Sequence, residues 1–278
     1  MPELPEVETV RRRLEPLVGG RRIVDVRIDD PRLVRPELPA VVAARLAGAS
    51  IDRVDRRGKY LLVRLGDGAT LVVHLRMTGN LLHGVDPATL AHVRAVLTFD
   101  DGSTVTYTDL RRFGTWQVLE DDDALSAHLA ARLGVEPLGD GFDGRALRRA
   151  FAGRRAPVKA VLLDQRVVAG VGNIYADEAL HLARVHPLLP ADAVSAAAVG
   201  RIAAAVRHVL ELGIASQGAS IRDYRTPAGG FGSMQERFRV FDRTGEPCPE
   251  CGTAIVKLRA AGRGTHVCPR CQRAPRRR

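Results

Sequence analysis

The chain has 278 residues, 45% apolar and 27% charged, enough for ordinary globular cores and too apolar for wholesale disorder. No stretch approaches the roughly 18 uninterrupted apolar residues of a membrane span, and the acidic N-terminus lacks a signal-peptide core. A formal net charge of +10 points to a polyanionic partner, nucleic acid before an acidic membrane surface.

Of the 42 basic residues only Lys59, Lys159 and Lys257 are lysine. A position that keeps lysine in so arginine-rich a chain is either a surviving surface residue or one that needs an amine able to shed its proton.

The first element reads as a short helix. Val7, Val10, Leu14 and Leu17 share a face, Pro5 suits the first turn and Gly19-Gly20 ends the pattern. Alternating segments follow. Val24, Val26 and Ile28 form one, and Leu71, Val73, Leu75 and Met77 another. Leu97 to Phe99 and Thr104 to Tyr107 flank the turn signal Asp101-Gly102. Together they predict a β-sandwich over about residues 20 to 120. From the acidic run Glu120 to Asp123 the period becomes helical. Candidate helices are Ala124 to Leu133, Gly144 to Phe151, Pro157 to Asp164, Asn173 to Ala183 and Ser195 to Leu212. Gln217 to Met234, rich in Gly and Ser, reads as a loop.

All four cysteines fall in one pattern, Cys248-x2-Cys251-x16-Cys268-x2-Cys271. This is zinc-ribbon spacing, with two knuckles presenting four thiolates to one structural zinc ion. Two disulfides, or free thiols, are the alternative. Four protein ligands leave no open position, so such a zinc folds the segment and does no chemistry. From Arg243 to the end there are nine basic and two acidic residues, and Arg259 to Thr265 reads as a hairpin tip suited to phosphate. Alone, the module fits a transcription factor, a ribosomal protein or a DNA enzyme.

The opening Met1-Pro-Glu-Leu-Pro-Glu-Val-Glu-Thr9 closely resembles the start of the formamidopyrimidine-DNA glycosylases. The match continues through Arg57-Gly-Lys-Tyr-Leu-Leu62, His74-Leu-Arg-Met-Thr-Gly79 and Tyr107-Thr-Asp-Leu-Arg-Arg-Phe-Gly114. Leu163-Asp-Gln165, Gly170-Val-Gly-Asn-Ile-Tyr-Ala-Asp-Glu178 and the cysteines complete it. The resemblance implies an α+β multidomain chain. An N-terminal helix and β-sandwich would span 1–120, a helix-two-turn-helix DNA-binding domain with a lesion loop 121–235, and a zinc finger with a basic tail 236–278.

It also implies roles. Pattern alone reads Pro2 as a helix opener. The resemblance makes it the nucleophile, a secondary amine freed by removal of Met1, which attacks the sugar C1′ and forms a Schiff base. Glu3 would donate or shuttle protons, with Glu6 assisting or merely favoured at a helix N-terminus. Lys59 would contact DNA and aid elimination. Asn173 and Arg263 would hold the lesion phosphate, with Arg263 also linked to the elimination step. His92, Arg111 and Arg154 would contact phosphates. Lys159 is expected to support DNA binding or to be a solvated helix end.

An enzyme acting on a base must extrude it from the stack. Met77, Arg111 and Phe113 would fill the hole, with arginine bonding the orphaned cytosine. Pattern alone makes Met77 the last inward residue of its strand and Phe113 a core residue.

Three departures from the family pattern stand out. Arg76 replaces a glycine, Leu110 replaces a proline, and the lesion loop Ser220 to Ser233 lacks the usual Gly-x-Pro-Gly-Tyr-Phe ending, with Arg222 at a common lysine.

The expected activity is that of a bifunctional glycosylase and abasic-site lyase of base excision repair. It would excise 8-oxoguanine and formamidopyrimidines opposite cytosine and cleave the strand by β,δ-elimination. Rival readings are an endonuclease VIII-like enzyme for oxidised pyrimidines, whose members begin Met-Pro-Glu-Gly-Pro where this chain has Leu4, and a catalytically silent DNA-binding zinc protein. Duplex DNA with oxidised bases or abasic sites is the expected partner, and no membrane is. A monomer in a reducing cytoplasm, on the nucleoid while it acts, is the expected setting.

Overall fold

A computed structural model describes residues 2–275. The basic tail Arg276–Arg278 and Met1 lie outside the described residues. The chain divides into two compact units. The first runs through Ala131 and takes in Gly213–Gln235, and the second comprises Arg132–Leu212 and the chain from Glu236 on.

In the first unit, helix α1 (Leu4–Val18) starts after Glu3, whose backbone is extended, with Pro5 in its first turn. Val7, Val10, Leu14 and Val18 are buried, while Leu17 is 39% exposed. The expected face was therefore right for two turns and then slips by one residue, because a 3.6-residue period favours position 18 over 17.

Two four-stranded antiparallel sheets form the sandwich. One has the order β1 (Ile23–Ile28), β6 (Val93–Phe99), β7 (Thr104–Asp109), β5 (Gly79–His83). The other has the order β2 (Ile51–Arg57), β3 (Tyr60–Leu65), β4 (Thr70–His74), β8 (Thr115–Leu119). Leu61, Val63, Leu71, Val73, Leu97 and Trp116 sit in the core they share with α1.

Three local expectations need correction. Val24 is 51% exposed, because a register shift between Ile23 and Asp25 breaks the alternation that the sequence displays. The strand through Leu71 ends at His74, so Met77 lies in a turn and is not an inward strand residue. Within the strand-rich stretch, Pro39–Leu46 forms a helix, α2, which the strand pattern hid. A final helix of this part, α3 (Asp122–Ala130), starts at Asp121, whose side chain accepts from the Ala124 amide.

The second unit holds α4 (Gly144–Phe151), α5 (Val158–Leu163), α6 (Asn173–Leu182) and most of α7 (Ala196–Ala215). It ends in a hairpin of β9 (Val256–Ala260) and β10 (Arg263–Val267) that carries the cysteine knuckles. Among the described residues, no helix is long and apolar enough to cross a membrane.

Candidate active site and nucleic-acid interface

Pro2 and Glu3 are both buried at the start of α1, Glu3 to 1% exposure. The Glu6 carboxylate fixes this end of the chain. One oxygen accepts from the Glu3 amide at 2.8 Å and the other from the Ala219 amide at 2.8 Å. The Tyr224 hydroxyl donates to the Glu6 carbonyl at 3.3 Å. Gly218 makes this approach possible. Its φ is +82°, and a Cβ there would fall 2.8 Å from Glu6 Cγ. Glu6 thus ties the N-terminus to the first residues of the 219–233 loop.

Lys59 is buried in the two-residue turn Gly58-Lys59 that joins β2 to β3. The Arg56 guanidinium braces that turn through the Gly58 carbonyl at 3.0 Å, and α1 packs on β2. His74 pairs with Tyr60 across β3 and β4, and their rings meet edge-on with centroids 4.7 Å apart. Burial, with the charges of Arg76 and Lys59 adding to it, pushes His74 down to about 3. The neutral ring accepts from the Arg76 amide at 3.0 Å through Nδ1. Arg76, where glycine is usual, holds φ +53°, a left-handed backbone that glycine adopts without penalty. The histidine contact helps hold a non-glycine residue there, one position before Met77.

Met77 is half-buried in the turn between β4 and β5, and Arg111 and Phe113 are exposed in the turn between β7 and β8. Pairing of Gly79 with Asp109 brings the two turns together. The Thr78 hydroxyl donates to the Asp109 carboxylate. The Arg111 amide reaches Thr78 Oγ1 at 3.0 Å and Asp109 Oδ1 at 3.2 Å. The Gly114 amide donates to the second carboxylate oxygen at 2.8 Å. A Cβ on Gly114 would overlap the Tyr107 hydroxyl at 1.6 Å, so only glycine fits. From this buried frame Arg111 stands over the Phe113 ring at 4.8 Å, and the ring is 51% exposed. Phe113 is therefore not a core residue. His92 is exposed at φ +62°, and its carbonyl accepts from the Asp109 amide at 3.0 Å. Arg112 points elsewhere, into a two-bond pair with buried Asp30 at 2.6 and 2.8 Å.

In the second unit, Gln165 shapes the turn ahead of α6. It donates to the carbonyls of Leu163 and Val171 and accepts from the Gly170 amide at 2.9 Å. Asn173, the first residue of α6, donates through Nδ2 to the Gly264 carbonyl at 3.1 Å. Its Oδ1 is buried and has no hydrogen-bond partner. Arg263 precedes Gly264 and exposes its side chain at the start of β10. Asn173 and Arg263 thus lie near one another, through the contact of Asn173 with Gly264. Arg154 is exposed between α4 and α5, 4.0 Å from the Asp164 carboxylate.

Lys159 is not a solvated helix end. It is 0% exposed, 2.6 Å from Asp177 Oδ1, and donates to Thr265 Oγ1 at 2.7 Å. The other Asp177 oxygen accepts from the His266 amide at 3.0 Å. This buried pair joins α5, α6 and β10, and so sets Arg263 beside Asn173. Periodicity places Lys159 at the first turn of a helix, but it does not reveal a carboxylate on the next helix.

The four cysteine sulfurs lie within 4.8 Å of one another. Cys248 and Cys271 are 4.0 Å apart, and Cys251 and Cys268 are 3.4 Å apart. A tetrahedral zinc with bonds of about 2.3 Å requires sulfurs about 3.8 Å apart, so the set fits one zinc and neither disulfide. His181 Nε2 sits 3.3 Å from Cys248 Sγ. Burial, helped by Arg239, Arg184 and Arg243, holds His181 down at about 4, leaving a neutral ring with an N–H to give the thiolate.

Thr78 and Asp109 lie inside family-like motifs that give them no role by themselves, and nothing in the sequence marks Asn80.

Comparison with known proteins agrees with this geometry. Residues 1–116 match the formamidopyrimidine-DNA glycosylase N-terminal domain, 133–225 the H2TH domain of the same enzymes, and 245–274 the zinc finger found in FPG and IleRS. A formamidopyrimidine-DNA glycosylase of Symbiobacterium thermophilum is 48% identical, covering 99% of this chain and 90% of the relative. Lactococcus lactis Fpg, solved with Fapy-dG-containing DNA, superposes with a TM-score of 0.91 at 36% identity over 98% of this chain and 100% of that one. The Lactococcus lactis Fpg complex with abasic-site DNA gives the same TM-score of 0.91, identity of 36% and coverage of 98% and 100%.

Proposed function

The chain belongs to the formamidopyrimidine-DNA glycosylase family, and from that premise we propose that it excises oxidised purines from duplex DNA and cuts the strand at the site left behind. The substrates are formamidopyrimidines, of the kind held in the Lactococcus lactis complex, and, in this reading, 8-oxoguanine, with cytosine opposite. The reading sets this work in base excision repair in the cytoplasm, by a monomer on the nucleoid.

The observation that carries the reading is the Glu6 clamp, which holds the buried Pro2-Glu3 end against the first residues of the 219–233 loop. Once Met1 is removed, the Pro2 nitrogen is a secondary amine; a free α-amino group has a reference pKa near 8, which leaves a usable unprotonated fraction at neutral pH. It attacks C1′, the C1′–base bond breaks and the damaged base leaves with a proton. The bound nitrogen then loses its own proton as the C1′–O4′ bond opens and O4′ is protonated, which yields the iminium, with Glu3 serving as proton donor. The resulting iminium acidifies the C2′ proton. Loss of that proton expels the 3′ phosphate, and a second elimination expels the 5′ phosphate. Lys59, buried in the turn that joins β2 to β3, serves as the second amine for DNA contact and proton transfer.

Met77, Arg111 and Phe113 fill the space of the extruded base. Arg111 and Phe113 project from a frame whose buried acceptor, Asp109, is fully engaged. Asn173 and Arg263 grip the lesion phosphate, and His92 and Arg154 take flanking phosphates. Cys248, Cys251, Cys268 and Cys271 hold one structural zinc, which keeps the Arg263 hairpin folded.

The test is single-turnover assay of duplexes carrying 8-oxoguanine, a formamidopyrimidine, an oxidised pyrimidine or an abasic site. Base release from the two purine lesions with strand cleavage is expected. Preference for the oxidised pyrimidine would favour the endonuclease VIII-like reading, and no cleavage of any duplex would leave a silent DNA-binding protein.

A further inference from the structure

The 219–233 loop, where this chain departs from its family, is held along the outer edge of β5. That strand pairs with β7 on one side only. On its other side the His83 amide donates to the Pro227 carbonyl at 2.8 Å. A second hold from this strand is the side chain of Asn80, 7% exposed. Its Nδ2 donates to the Asp223 carbonyl at 3.0 Å and to the Thr78 carbonyl at 3.3 Å. Its Oδ1 accepts from the Arg225 amide at 2.8 Å. Both donors and the acceptor are thus engaged.

The residue that Asn80 grips is the one that shapes the loop's tip. Arg225 turns its guanidinium over the Phe231 ring, 4.1 Å from the centroid, and that ring is 65% exposed. Between them the loop closes on itself through Thr226 N to Gly230 O at 2.9 Å. Nearer its base, Ser220 Oγ bonds the Tyr224 carbonyl at 3.0 Å and the Gly232 amide at 2.9 Å. In the other direction Asn80 lies two residues from Thr78, which holds Asp109 and Arg111. One amide side chain therefore connects the loop to the turn that carries Met77.

We propose that Asn80 is a positioning residue for damaged-base selection, fixing the Arg225–Phe231 stack against the Met77–Thr78 turn so that an extruded base is received in one geometry. This rests on the base-extruding reading above. It adds that seating a base depends on Asn80, whereas elimination at a sugar that has already lost its base does not. The hydrogen-bond partners of Asn80 are the backbone groups of Thr78, Asp223 and Arg225. It acts through the backbone of Asp223 and Arg225.

Asn80→Ala and the isosteric Asn80→Asp separate these steps. The aspartate keeps an acceptor for the Arg225 amide but sets a second oxygen against the Asp223 and Thr78 carbonyls. Each variant is compared with wild type under single turnover on two duplexes, one with 8-oxoguanine opposite cytosine and one with a preformed abasic site. Base release should slow by about tenfold or more, as expected for losing buried hydrogen bonds, while abasic cleavage stays within about twofold. A parallel fall of both rates in both variants would make Asn80 a general stability residue and overturn the proposal. Unchanged base release in the aspartate variant would overturn it as well. A wild type inert on both duplexes would overturn the underlying glycosylase reading instead, a result distinct from either variant outcome.

Discussion

The hydroxyl of Thr78 donates to the carboxylate of Asp109, and that contact locks together the turns bearing Met77 and the Arg111–Phe113 stack. Asp109 is 1% exposed and bonds the amides of both Arg111 and Gly114. An exposed arginine is thereby given a fixed root, which an opposite-base reader needs.

Discrimination by opposite base follows. Arginine offers only donors. Unpaired cytosine presents acceptors at O2 and N3, whereas adenine sets its N6 donor against the guanidinium. Excision of 8-oxoguanine should be faster opposite cytosine than opposite adenine by about five- to 150-fold, the worth of a bidentate contact of roughly 1–3 kcal/mol. Thr78→Val should shrink this ratio several-fold by loosening the frame. Arg111→Ala should shrink it further and slow both substrates. Equal wild-type rates on the two pairs, measured under single turnover, would remove Arg111 from this role.

The Lys159–Asp177 pair predicts a large and asymmetric stability effect. Both side chains are 0% exposed. Lys159→Met leaves an uncompensated buried carboxylate and should cost about 3–5 kcal/mol in urea unfolding. Replacing both partners, Lys159→Met with Asp177→Leu, should recover most of that loss. A single substitution that leaves the midpoint unchanged would mean that the pair does not organise the β10 hairpin.

What the sequence disclosed about this molecule was what is local in the chain. The cysteine spacing gave the zinc site because both knuckles are short and self-contained. Gly144–Phe151 was read correctly because Asp143 caps the helix, accepting from the Ala146 amide, and an apolar stripe continues inside it. The burial of Lys159 was hidden because Asp177, its partner, stands on another helix. Val24 was misread because a bulge leaves no mark in an alternating pattern. Met77, Arg111 and Phe113 were singled out only through family resemblance. Their convergence depends on β5 pairing with β7, a long-range register that no local pattern encodes. Asn80 carried no signal at all, since its partners lie in a loop distant in sequence.

Acid should destabilise the first unit in a defined window. Burial opposes ionisation of Glu8, but hydrogen bonds from Arg11, Arg12 and Arg56 outweigh it and hold the carboxyl at about 2. Asp30 also lies at about 2, chiefly through its hydrogen bond from Arg112. Both values are depressed below those of the unfolded chain, about 4, so the unfolded state takes up protons first. The stabilisation is complete above about pH 5 and is lost as pH falls from there toward 2. Melting temperatures should drop across that window, and Glu8→Gln should flatten the drop while lowering stability at neutral pH. An identical pH profile in the variant would show that the arginines around Glu8 contribute nothing.

Zinc should be stoichiometric, one per chain. The site is closed, so chelation should unfold the finger and weaken DNA binding, without directly removing a reacting group. His181→Phe deletes the imidazole beside Cys248 and should weaken zinc affinity by about 10–100-fold. Metal analysis with competitive chelator titration checks both points. A fully folded, active protein with almost no zinc would contradict the finger.

The role of Pro2 can be read from one covalent bond. Borohydride reduction during turnover on an 8-oxoguanine:cytosine duplex should trap the chain on DNA, and peptide mass mapping should place the adduct on the N-terminal proline. Pro2→Gly should keep DNA affinity and lose most of the trapping. An adduct on Lys59, or wild-type trapping by Pro2→Gly, would contradict the assignment of the nucleophile.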